Sequence, residues 1–356
     1  MKKILFIDHS FHKKTKSSNF FKEIFSNNFI IEELWDDYWK GRKSISIDEI
    51  NKINPDVVIF WQVPPLNFPL QSLRCKNIIF VPMEDAFFYP NYKWLLYKKY
   101  NVKILCFTKV IYNKVKKLDL NCFYIRYFLK PNIENFKKDY KKLRAIFWQR
   151  KNEINWSVIK KIIGDQKIEE FYFRNIPDPF QFFIRLPSDD DIKRYNIKFL
   201  NEWLTKEGLM NLYSQVNIFF ASRLYEGIGI SFLEAMANGV IVIAPDTPSH
   251  NEYIQNGFNG YLYDYTNPSK IDFSNLETIS KNLCQTAINY YSEWIVSQEK
   301  LINFIESEVS ERKITKKETI AIFIGKISYM PNLIFKKFKN LFKKLLWMIF
   351  YNRHLS

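Results

Sequence analysis

The chain of 356 residues is 47% hydrophobic and 25% charged, which excludes a disordered protein and leaves room for two domains, each with its own core. No charge-free apolar run reaches the roughly 18 residues of a membrane-spanning helix. The four cysteines and four histidines show no metal-ligand or disulfide-framework spacing, so neither a zinc centre nor an oxidised scaffold is expected. The formal charge of +16, from 53 basic and 37 acidic residues, points to an anionic partner, although a coding bias toward Lys, Asn, Ile, Phe and Tyr accounts for part of it.

The start, Met1–Asp8, holds too few apolar residues for a signal peptide, and a cytoplasmic setting is the expectation. Lys3–Asp8 reads as a first strand instead. Further strands are predicted at Phe29–Leu34, Asp56–Gln62, Asn77–Pro82, Lys103–Thr108 and Cys122–Tyr127, with helices at Ser17–Asn27 and Lys109–Leu118. This alternation predicts a parallel, doubly wound α/β sheet. The near-continuous apolar run in Asp56–Trp61 fits a strand covered on both faces. The pattern breaks at Leu129–Asn132, and the polar stretch Glu134–Lys142 reads as a linker. It restarts with a strand at Arg144–Trp148 and a helix at Asn155–Gly164. Strands at Glu169–Arg174, Lys198–Asn201, Val216–Ala221, Val240–Ala244 and Gly260–Tyr263 follow, and the last third reads as helical. Two such sheets form a cleft whose ligands lie beyond the carboxyl ends of the strands.

One stretch, Tyr225–Gly239, carries the densest chemical signal. The chain has nine glycines, and Gly227, Gly229 and Gly239 all fall here, between two predicted strands. Gly227 and Gly229 permit close backbone approach where a helix begins, and the unpaired amides of a first helical turn attract a phosphate. Glu226 lies just before that helix and Glu234 one turn inside it, so both carboxylates can accept hydrogen bonds from sugar hydroxyls. Gly239 fits the position that closes the helix. An ordinary glycine-rich crossover turn is the alternative reading of the spacing.

Seven residues separate Glu226 from Glu234, and the run resembles the E-x7-E motif of retaining GT-B glycosyltransferases, especially family 4. The flanks are similar too: Val216–Ala221 before it, and Ile241–Pro245, Asn251–Ile254 and Asn256–Leu262 after it. The resemblance implies two Rossmann-like doubly wound domains facing a cleft, with a C-terminal helical extension. It implies that Glu234 binds the ribose of a nucleotide, Glu226 the donor sugar, and Gly227, Ile228, Gly229 and Ile230 the sugar and distal phosphate through their amides. Arg150, directly after a strand, matches the first of the family's two diphosphate-binding cations. The second position falls near Asn155, which is not basic, and Lys151 is the candidate substitute. A guanidinium suits bidentate contact with a departing diphosphate. Trp203 aligns with the segment that lies over the base, where it stacks or serves as a core residue. No essential metal and no cofactor are expected.

The first half departs from the family pattern. His9 stands where a glycine-rich loop is expected, and Glu84 and Asp85 stand where the family places a histidine. His9, Glu84 and Asp85 are therefore candidates for sugar or acceptor contact, with helix capping as the alternative for the acidic pair. Ser188–Asp191 is similar to the metal-binding D-x-D of another glycosyltransferase fold, but its polar setting favours a solvated loop or helix start.

Asn332–Tyr351 places apolar residues at helical spacing, with Lys336, Lys337, Lys343 and Lys344 between them and Trp347 near the end. This is the pattern of a basic helix lying in a membrane interface; a helix packed on the first domain is the alternative. The expected organisation is an N-terminal Rossmann-like acceptor-side domain (1–132), a linker (133–143), a nucleotide-sugar-binding domain (144–290), helices returning to the first domain (291–328) and a membrane-associating helix (329–356). The expected activity is hexosyl transfer with retention from a UDP- or GDP-sugar to a glycan or polyprenyl-diphosphate-linked acceptor, at the inner face of a bacterial membrane, in O-antigen or capsule synthesis. A silent GT-B partner subunit and a sugar-nucleotide epimerase are the alternatives. Nucleic-acid binding is not expected, because only the net charge suggests it.

Overall fold

The computed structural model describes residues 1–38, 44–85, 89–178 and 185–328. The first half forms a six-stranded parallel sheet from β1 (Lys2–His9), β2 (Phe29–Asp36), β3 (Val57–Trp61), β4 (Ile78–Val81), β5 (Lys103–Cys106) and β6 (Cys122–Tyr124), in the order β2-β1-β3-β4-β5-β6. The second half repeats the plan with β7 (Arg144–Trp148), β8 (Glu170–Arg174), β9 (Ile197–Leu200), β10 (Ile218–Phe220), β11 (Ile241–Pro245) and β12 (Tyr261–Tyr263), in the order β12-β11-β10-β7-β8-β9. Every residue of β3, β4 and β11 is buried, because helices cover both faces of a parallel sheet. All twelve predicted strands are present, within two residues at most ends.

The first sheet is served by α1 (His12–Thr15), α2 (Asn19–Glu23), α3 (Ile47–Ile53), α4 (Asn91–Lys99) and α5 (Lys109–Lys117), the second by α6 (Trp156–Ile163), α7 (Asp189–Arg194), α8 (Lys206–Gln215) and α9 (Ile230–Ala237). Local chemistry sets their starts. Ser46 and Glu49 form a reciprocal capping box on α3, and Thr108 and Thr205 accept from the third helical amides of α5 and α8. Helix α2 is shorter than the expected Ser17–Asn27, since Ser26, Asn27 and Asn28 are poor helix formers that favour a turn. The Ser188–Asp191 run is a helix start: Ser188 caps α7, while Asp191 turns inward to accept from Trp156 Nε1 at 2.8 Å and pair with Lys160 at 2.6 Å.

Helix α10 (Leu276–Glu306) is 31 residues long, about 46 Å at the helical rise. Near its start Ser280 accepts from Tyr140 Oη, in the second half. At its end Lys103 of β5 donates to the carbonyls of Ile305 and Ser307 at 3.1 and 3.0 Å, and Asn77 donates to that of Ile305 at 2.8 Å. One helix is thereby anchored on both sheets. Helix α11 (Lys316–Ser328) then packs on α4, where Gly325 lies against Tyr92. No described helix is long and apolar enough to cross a membrane. The tail residues Lys336, Lys337, Lys343, Lys344 and Trp347 lie outside the described residues.

Candidate active site between the two sheets

Strand order reverses between β7 and β10 in the second sheet and between β1 and β3 in the first. Such switch points open a crevice at the carboxyl edge of a parallel sheet. Arg150 follows β7 and Arg223 follows β10, so the two guanidiniums flank the second crevice. Asp178, beyond β8, joins them. Arg150 Nε donates to Asp178 Oδ1 at 2.8 Å, and Arg223 Nε donates to Asp178 Oδ2 at 3.1 Å. Arg150 also lies over the Trp148 ring at 4.5 Å. Arg223 Nη1 reaches Asp85 Oδ2 at 2.5 Å and Glu226 Oε2 at 3.8 Å. Asp85 comes from the first half of the chain, so Arg223 ties the two sheets together. Burial works to raise the Asp178 carboxyl, but Arg150 and Arg223 outweigh it and hold it below the usual range. Burial likewise pushes the Glu226 carboxyl up, opposed by Arg223 and Arg150.

Helix α9 starts at Ile230 with Gly229 in a left-handed conformation (φ 84°) and no side-chain cap. A side chain at Gly229 would meet the ring of Phe232. The helix start is thus uncapped, as an anion site requires, and Gly229 leaves room there for the Phe232 ring. Gly227 serves a different contact: a Cβ there would stand 2.7 Å from Met83 Cβ and 3.0 Å from Asp85 Oδ1. Its missing side chain lets the loop after β4 approach the second sheet. Ile228 is buried beside it. Glu234 is half-buried on α9, and its carboxyl is pushed up to about 7 by burial, against the pull of Lys206 and Arg174.

Lys151 lines a small cavity of 190 Å³ with Asp85, Glu153, Arg223, Leu224 and Tyr225, on the outer rim of the arginine pair. A larger cavity of 420 Å³ is lined by Lys2, Asp56, Lys76 and Glu306, among others. It lies at the amino ends of the strands, the wrong edge for a ligand in this kind of sheet.

On the facing sheet, His9 at the end of β1 makes a 3.0 Å hydrogen bond with Gln62 at the end of β3, across that sheet's own switch point. Burial and the neighbouring His12 lower its pKa. His9 and His12 have ring centroids 3.9 Å apart. His12 Nδ1 donates to the buried Asp8 at 2.6 Å, and Asp8 also accepts from the His9 amide and the Ser18 hydroxyl. Asp8, His9 and His12 thus form one hydrogen-bonded cluster whose ligand atoms lie within 4.8 Å of one another, close enough to hold a metal ion. Asp85 stands toward Arg223, and its Oδ1 is buried without a hydrogen-bond partner among the described residues. Glu84 turns away from this group to accept from Thr108 Oγ1 at 3.4 Å.

Trp203 corrects the expectation of a core residue: it is 41% exposed, with Lys14 over its ring at 4.8 Å. A short loop after an edge strand leaves a large ring only partly covered. Arg223, Asp178 and Arg174 were not singled out in the sequence. Arg223 stands three residues before Glu226, and a lone cation beside a strand end was the available signal.

Two separate parallel six-stranded sheets, bridged beyond their carboxyl ends by Arg223 and Asp85 and braced by a long C-terminal helix, are the GT-B fold of glycosyltransferases. Residues 122–281 match the family described as Glycosyl transferases group 1. A glycosyltransferase from Rickettsia africae superposes with a TM-score of 0.58 at 15% identity, covering 86% of this chain and 98% of that one. Anabaena HepE in complex with UDP and glucose gives 0.57 at 12% identity, covering 86% and 100%. Sucrose-phosphate synthase from Thermosynechococcus elongatus gives 0.61 at 11%, covering 85% and 98%. No curated protein matches the sequence.

Proposed function

We propose that the protein is a nucleotide-sugar-dependent glycosyltransferase whose donor binds between Arg150 and the start of α9. The observation that carries this reading is the convergence of Arg150, Glu226, Glu234 and an uncapped, glycine-led helix start at one sheet's switch point. The group 1 match over residues 122–281 supports it, and so does the UDP held by HepE, a protein of the same fold. Glu234 accepts from the ribose hydroxyls and Glu226 from the donor sugar. Asp85 Oδ1, lacking a donor of its own, accepts from a sugar hydroxyl presented against Gly227, with His9 on the acceptor side.

In the reaction the bond from the anomeric carbon to the diphosphate breaks, and its electron pair leaves with the phosphate oxygen. Arg150, Lys151 and the α9 amides stabilise that charge, which is the main catalytic term. The acceptor hydroxyl attacks from the same face, with retention, and its proton passes to the departing phosphate. No metal or cofactor takes part in this scheme. A glycan or polyprenyl-diphosphate-linked acceptor at an anionic membrane, with the basic segment 329–356 as anchor, completes the reading and places the enzyme in bacterial surface-polysaccharide synthesis. One observation favours a second reading, a silent partner subunit: the Arg150 guanidinium is already paired with Asp178.

Thermal unfolding with UDP-, GDP-, ADP- and CMP-sugars is the test. A ligand at about 100 times its Kd stabilises by roughly 2.7 kcal/mol. A shift with one nucleotide class, lost in Glu234→Ala, is expected; no shift with any of them shifts the balance to the silent subunit.

A further inference from the structure

Arg174 closes β8, and it is 4% exposed. Among the described residues nothing accepts a hydrogen bond from its guanidinium, and its Nε is buried without a partner. It lies between two indoles instead, 4.1 Å from the Trp148 centroid and 5.0 Å from that of Trp203. Those rings meet edge to face, with centroids 5.9 Å apart. A buried cation that lacks an acceptor is costly to keep, and cation–π contact offsets only part of that cost. Arg150 and Arg223 are satisfied by carboxylates; Arg174, among the described residues, is not. The missing acceptor therefore arrives with a ligand.

Position decides which part of the ligand this is. The diphosphate site lies between β7 and β10, and Glu234 on α9 marks the ribose. β8 and β9 continue the sheet on the other side of β7, so Arg174 and Trp203 lie on the side opposite the β7–β10 crevice. Arg174 and Glu234 also interact electrostatically without a hydrogen bond, which sets Arg174 on the Glu234 side of the site. Resting on the donor-site reading above, we propose that Arg174 reads the nucleotide base, donating to ring carbonyl oxygens and so selecting uracil or guanine over adenine. A guanidinium offers only donors in a planar fork. Uracil presents carbonyl oxygens, and guanine presents a carbonyl beside a ring nitrogen. Adenine presents an amino group where guanine has its carbonyl, which sets donor against donor.

The test is titration calorimetry on the full chain with UDP, GDP, ADP and inorganic pyrophosphate, comparing wild type with Arg174→Met and Arg174→Lys. Methionine keeps an apolar filler between the indoles, and lysine keeps the charge but loses the fork. Wild type is expected to prefer UDP or GDP to ADP by ten- to a hundredfold, on the order of one well-made bidentate contact. Arg174→Met is expected to collapse that ratio while leaving pyrophosphate and ADP affinities within about twofold; should it not fold, Arg174→Lys carries the same comparison. Equal wild-type affinities for the three nucleotides overturn the proposal, as does a ratio unchanged by substitution. Loss of pyrophosphate binding along with nucleotide binding in both variants also overturns it, because Arg174 then serves only to hold the fold. Failure of wild type to bind pyrophosphate or any nucleotide sinks the donor-site reading itself, a distinguishable result.

Discussion

Glu234 shows what its surroundings do to a side chain that the sequence could only nominate. Burial pushes its carboxyl up to about 7, so much of it is protonated at pH 6, and a protonated carboxyl is a poorer acceptor for two ribose hydroxyls. Nucleotide affinity is therefore expected to rise between pH 6 and 8 in wild type and to stay flat in Glu234→Gln, measured by calorimetry. Stability moves the other way. With the folded pKa above the unfolded one, the Glu234 contribution is complete below about pH 4.5 and is lost as pH rises through 7. Unliganded wild type should thus lose stability relative to Glu234→Gln across that interval. Gly229 makes the second prediction. Its φ of 84° costs a residue with a side chain about 1–2 kcal/mol, and contact with Phe232 adds to this. Gly229→Ala is expected to lower the urea midpoint and to abolish nucleotide-induced stabilisation. Gly227 and Gly229 look alike in the sequence, yet only the fold shows that one admits a neighbouring loop and the other a helix start.

At the scale of elements, strands were the most legible feature. Short runs rich in Val, Ile and Phe, bounded by polar turns, have few other uses in a chain of this length. Helices α4 and α8 were not anticipated, because Tyr and Lys in one and Asn, Ser and Gly in the other blur the apolar period. The role of Lys103 was equally hidden, since a lysine opening a strand reads as a solvent-facing edge residue. It is fully buried and donates to the carbonyls that end α10, where a cation suits both the unpaired oxygens and the helix dipole. Lys103→Met leaves those carbonyls unsatisfied and is expected to cost on the order of 3 kcal/mol. Hydrogen exchange should show the last turn of α10 opening before its first turn, which remains anchored through Tyr140.

For the whole molecule, the bond between the halves at the site rests on Arg223. Removing it leaves Asp85 and Glu226 without a paired cation and Asp178 with Arg150 alone, a loss of about 3–5 kcal/mol for a buried pair broken from one side. Asp85→Asn removes one contact and leaves Arg223 held by Asp178, so its cost is expected to be near 1 kcal/mol. Denaturant melts that rank Arg223→Ala well below Asp85→Asn would bear this out; equal costs would sink the shared-cation account. The sequence by itself determined the twelve strands, their two successive groups and the helix that carries Glu234 with Glu226 just before it, since all of these follow from local periodicity and from glycines at fixed spacing. Tertiary structure alone decided that Asp178 and Arg223 complete the Arg150 site, that Arg174 is a buried cation held between two indoles, and that Trp203 is open to solvent. Charge pairing and burial join residues 28 to 138 positions apart, and no local pattern records which strand ends the folded sheets bring together.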